Sequence, residues 1–140
     1  MTIITSDPRV RSSRLLRLGL RIDAVCSGIA GVVLAATAGW LAGRSGLPLG
    51  AEYTLAAFLL AYAAAVYWLS TLEDVRRVGP AVVAGNLIFT VLAIVVVLED
   101  IWPLTATGVT LMVVSAIYTL AMADLQYLGV RRAKSQFAQA

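Results

Sequence analysis

Four apolar stretches constrain this chain more than any other feature, at about residues 18–41, 53–70, 80–98 and 103–128. A helix rises about 1.5 Å per residue, so roughly 20 residues cross a hydrocarbon layer about 30 Å thick. Only helices and closed barrels satisfy their backbone groups in such a layer, and runs this continuous read as helices. Helix breakers and charges punctuate the gaps: Gly43-Arg44-Ser45-Gly46-Leu47-Pro48, then Glu73-Asp74-Val75-Arg76-Arg77, then Glu99-Asp100 before Trp102-Pro103. Pro80, after Gly79, reads as a first-turn proline opening the third helix. Short connections make successive helices antiparallel. The expected fold is all-α: a membrane-embedded, antiparallel four-helix bundle. Residues 1–17 form a basic arm whose first seven are disordered, 18–130 the transmembrane domain, and 131–140 a basic tail.

Composition points the same way. Charged residues are 14% of the chain and hydrophobic ones 60%, whereas a soluble domain carries about 25% charged residues. Too little polar surface exists to coat a water-soluble globule. The net charge of +3 does not indicate a nucleic-acid partner, because the basic residues gather at the ends of apolar segments.

Those basic residues set an orientation. Arg9, Arg11, Arg14, Arg17 and Arg21 precede or enter the first span, Arg76 and Arg77 follow the second, and Arg131, Arg132 and Lys134 follow the fourth. In a four-span arrangement all of these share one side, and only Arg44 falls on the other. By the positive-inside rule both termini are cytoplasmic. Arg14, Arg17, Arg131 and Arg132 are placed to meet lipid headgroups. Trp40, Trp68 and Trp102 lie near predicted helix ends, as interfacial anchors do. Ala36-Thr37-Ala38 after a basic segment resembles a signal-peptide cleavage site, but the apolar run continues to Leu41, so the first span is expected to be retained.

Between helices in lipid, close packing and polar contacts replace the hydrophobic effect. Ser27, Gly31, Ala35 and Gly39 recur every four residues on the first helix, and Ala57, Ala61 and Ala65 on the second. These stripes are expected to meet, or the first to form a homodimer seam.

Ionisable and amide groups inside spans are costly and are the natural site candidates. Asp23, Asn86 and Asp124 fall at similar depth in the cytoplasmic half, with Arg21, Gln126 and Tyr127 near enough to join them. The reading leaves three roles open: an interfacial network pairing Asp23 with nearby arginines and Asp124 with Arg131 or Asn86, a carboxylate-centred proton or cation site, or a pocket for a lipid or quinone. Glu52, Glu99 and Asp100 read as a solvated loop end, and Cys26 as packing. A single cysteine excludes an intrachain disulfide, and the absence of histidine removes the commonest metal ligand and general base. No metal site, cofactor, phosphate loop or nucleophile–base set is expected, so an enzyme is not.

RIDAVCSGIAG at the first span, GNLIFT in the third and DLQYLGVRR leaving the fourth resemble small four-span integral membrane proteins of bacteria without an assigned activity. The resemblance covers Arg17 to Arg132 and implies a bacterial inner-membrane location. The expected role is a non-enzymatic accessory or scaffold subunit acting through helix packing, with membrane lipid and a homodimer or larger membrane complex as partners. The alternative is a small proton- or cation-coupled transporter or channel, working as a dimer with Asp23 and Asp124.

Overall fold

The computed structural model describes residues 8–137, with side chains over 14–135; the expected disorder of Met1 to Asp7 lies outside the described residues. The chain is all-helical there: α1 (Pro8–Ser45), α2 (Leu49–Thr71), α3 (Val75–Leu98) and α4 (Ala106–Phe137). All four are long and apolar enough to cross a membrane.

Each boundary has a local cause. α1 runs into Gly46, whose φ of 81° is left-handed, the conformation that ends helices and favours glycine. Ser45 then ties the turn: its Oγ accepts from Leu47 N–H at 3.1 Å, and its carbonyl accepts from Thr105 N–H at 3.0 Å. Thr105 caps α4, its Oγ1 accepting from Gly108 N–H at 3.3 Å. α3 opens earlier than expected, at Val75, so Pro80 lies inside it instead of at its first turn. Asp74 holds the entry by pairing with Arg76 at 3.1 Å and Arg77 at 3.0 Å.

α1 is the central element. It packs against α2 on one side and α4 on the other, α3 packs against α4, and α2 touches α3 little. The Leu16 end of α1 meets the Gly129 end of α4, while its Ser45 end meets Gly108. Phe58 and Phe89 bridge the loose α2–α3 side, ring centroids 6.1 Å apart and nearly parallel at 7°.

Three zones follow one another along the bundle. At the first end, Leu16, Leu20, Ala24, Val66, Val75, Val82 and Val130 form a packed apolar core. Leu16 is wedged so tightly that a Cβ on Gly79 would lie 2.7 Å from Val130 and 3.1 Å from Leu16, and one on Gly129 would lie 3.3 Å from the Leu16 backbone. Next comes a polar layer, and beyond it a cavity. The outward faces are apolar: Ile29, Ile88, Leu98 and Ile117 are each at least 60% exposed. That exterior is compatible with a multi-pass membrane protein; soluble monomers rarely expose large contiguous apolar patches.

The expected packing stripes are half corrected. Ser27 and Gly31 are buried, Ala35 is half-buried, and Gly39 is exposed with no atom within 4 Å of a Cβ placed there. On α2, Ala57, Ala61 and Ala65 face outward, and Glu52, Ala56, Ala63, Val66 and Ser70 face in. The seam therefore joins Gly28 to Ala63 and Gly31 to Ala56 and Leu60. Ala56 and Ala63 are seven residues apart, a two-turn repeat that keeps one face; the four-residue repeat drifts away from it. Cys26 is exposed, not packed.

Candidate functional site

The polar layer is centred on Asp23, which is fully buried. Its Oδ2 accepts from Tyr62 Oη at 2.8 Å, Gln126 Nε2 at 2.9 Å and Asn86 Nδ2 at 3.0 Å. Its Oδ1 accepts from Tyr118 Oη at 3.3 Å and Ser27 Oγ at 3.4 Å. Every helix contributes at least one donor. Asn86 Nδ2 also donates to Gln126 Oε1 at 3.1 Å, so the two amides brace each other. One turn further along, Thr90 and Thr119 hydroxyls meet at 2.7 Å and continue the polar seam between α3 and α4.

Local sequence explains how these groups converge. Ser27 follows Asp23 by four residues, one helical turn, and so hangs over the same face. Tyr118 and Gln126 lie four residues either side of Met122, so both reach one level of α4 from opposite directions. Asn86 is eleven residues from the start of α3 and twelve from its end, near the helix midpoint. Asp23 sits level with it, about 33 Å along α1 from Ser45. It was expected at the entrance of the first span; α1 begins at Pro8 and carries Asp23 well inside.

The electrostatics are unusual for a buried acid. Among the described residues, no cation pairs with Asp23. Removing an ion from water costs several kcal/mol. Hydrogen bonds to a charged group return about 1.5–3 kcal/mol each, so five donors offset that penalty without a counter-ion. They match the acceptor-only, roughly four-position shell of an ionised carboxylate. A shell filled by donors leaves no lone pair for a metal or transported cation. No metal-competent group of three or more His, Cys, Asp or Glu residues occurs among the described residues.

Of the expected cluster, Asp23 and Asn86 come together and Gln126 joins them. Asp124, Tyr127 and Arg21 do not: all three are exposed. Gln126 is two residues from Asp124, which on a helix is about 200° around the axis, and the inward position belongs to Gln126. Ion pairing of Asp23 with its own arginines is also replaced. Arg17, expected at lipid headgroups, donates to the Ser70 and Glu73 carbonyls, closing the C-terminal end of α2. Arg14, Arg131 and Arg132 are exposed. Tyr62 and Tyr118 were not foreseen, since aromatic residues in apolar helices ordinarily read as packing.

Past the polar layer lies a cavity of about 500 Å³ that reaches Ser45 and Glu52. Glu52 overturns the expectation of a solvated loop end: it is 1% exposed and bonded to Ser45 Oγ at 2.7 Å. Glu99 and Asp100 are exposed, as expected for such an end.

Neither family models, curated proteins nor solved structures give a match to this chain.

Proposed function

We propose that this chain is a multi-pass protein of a bacterial inner membrane, its helices antiparallel and both termini cytoplasmic, acting as a non-enzymatic accessory or scaffold subunit through its helix surfaces. The observation that carries the reading is the shell of five donors on Asp23, drawn from all four helices. A carboxylate so enclosed fixes helix register, as buried polar groups do elsewhere, and has no position free for a passing ion. Asp124 stands outside the cluster, so the expected pair of Asp23 and Asp124 does not form. The exposed Arg14, Arg131 and Arg132 support a cytoplasmic, headgroup-facing end for the packed core.

Purification from native membranes in mild detergent, with subunit masses measured, tests the proposal. The expected result is a defined assembly: this chain with a stoichiometric membrane partner, or a stable homodimer. Proton- or cation-dependent flux through the isolated protein in liposomes, abolished by Asp23→Asn, would replace scaffold by carrier. Topology is tested in the Cys26→Ala background with Arg44→Cys and Ser135→Cys: an impermeant maleimide added outside cells should label the first and not the second.

A further inference from the structure

Glu52 is nearly as buried as Asp23, yet only its Oε1 has a hydrogen-bond partner, Ser45 Oγ. Among the described residues, Oε2 has no hydrogen-bond partner and neither oxygen has a cation. Glu52 lies on the wall of the 500 Å³ cavity. A buried carboxyl oxygen without a hydrogen bond is costly to leave unmet. The nearby N-terminus of α2 offsets only a small part of that cost. Glu52 Oε2 is therefore an open acceptor at the cavity wall, which a donor or a positive charge would satisfy.

The remaining wall sets the rest of the ligand. Leu55, Phe58, Leu59 and Phe89 line the cavity beyond Glu52, apolar bulk with aromatic faces that attract cations. At the far end the Tyr118 and Ser27 hydroxyls donate to Asp23, so the polar layer presents no free carboxylate there. The volume falls within the roughly 300–1,000 Å³ of small-molecule sites. Ala30 and Val33 on α1 and Val114 on α4 line the cavity and are exposed, marking a side window between these helices.

We propose that this cavity binds a monovalent amphiphilic cation, with its positive centre at Glu52 Oε2 and its apolar body against Leu55, Phe58, Leu59 and Phe89. The ligand class is a quaternary ammonium or phosphonium with a bulky body and no anionic group, entering between α1 and α4. The charged end of this site is at Glu52, and its far wall is shared with Ser27, Tyr62, Asn86 and Tyr118 of the Asp23 shell.

The test is calorimetric titration of tetraphenylphosphonium into the full chain in neutral detergent, beside the uncharged triphenylphosphine oxide. Wild type should bind the cation saturably and at least about tenfold more tightly than the neutral compound. Glu52→Gln should remove that preference. Val33→Trp, which fills the window and leaves Glu52 in place, should also weaken the cation at least about tenfold. Absence of saturable binding, or equal affinity in wild type and a helical Glu52→Gln protein, overturns the proposal. Displacement by equimolar lysophosphatidylcholine would assign the site to a lipid headgroup and overturn it too. Should Glu52→Gln fail to fold, the wild-type preference and Val33→Trp decide: no preference for charge, or no effect of Val33→Trp, is a negative result.

Discussion

Two buried carboxylates divide this bundle between them, and they are built in opposite ways. Asp23 and Glu52 are 0% and 1% exposed, and among the described residues neither has a cation. Asp23 accepts five hydrogen bonds from four helices, whereas Glu52 accepts one, from a serine across a tight turn. On one side of the Asp23 layer the helices close on packed side chains; between that layer and Glu52 they part to leave a cavity. Burial alone therefore does not define the role of an acid in this bundle. How completely its acceptor positions are filled separates a fastener from a binding group.

Substitution at the two sites should give opposite results. The largest effect is expected from Asp23→Ala, which strands five donors in the interior. A loss of about 3–5 kcal/mol is expected, as for a broken buried polar pair, read as unfolding in a detergent titration. Packing around Asp23 is probed next by Gly31→Leu. A Cβ there already lies 2.9 Å from Leu60 and 3.2 Å from the Ala56 carbonyl, so overpacking should cost about 1–3 kcal/mol. Gly39→Leu, eight residues along the same row, meets nothing within 4 Å and should leave stability unchanged in the same titration. Tyr62→Phe deletes the shortest bond to Asp23 and should cost about 1 kcal/mol, near the upper range of interhelical bonds in membranes. Tyr118→Phe deletes a bond of 3.3 Å and should cost less. Among the polar substitutions the smallest effect is expected at the other carboxylate: Glu52→Gln retains an acceptor for Ser45 and should leave stability near wild type in the same titration.

Much of this architecture was legible in the sequence. Span-length apolar runs and Gly-Pro breaks locate four helices because membrane thickness and backbone hydrogen bonding leave no other solution. Asp23 and Asn86 stood out because polar groups inside such runs are expensive. The rotation of each helix was harder to read. α2 has alanine at 51, 56, 57, 61, 63, 64 and 65, too many small residues to select a face by size, so the chosen stripe pointed outward. On α4, charge drew attention to Asp124, while Thr119, Gln126 and Ala133 mark the buried face at seven-residue spacing. That heptad was the available signal. Glu52 was read as solvated from its nearness to a loop. The tertiary contacts of Ser45, with Leu47 on one side and Thr105 on the other, bury it, and nothing in local sequence announces them.

The central claim is that Asp23, and not the equally buried Glu52, holds the four helices together. Asp23→Asn and Glu52→Gln are near-isosteric changes that replace one carboxylate oxygen by an amide nitrogen. In the first, the new donor faces a ring of donors; in the second, it faces an open cavity. Unfolding free energies of both variants in one detergent titration test the claim directly. The expected result is a loss of at least about 2 kcal/mol for Asp23→Asn and near-wild-type stability for Glu52→Gln; equal losses, or a larger one at Glu52, would contradict it.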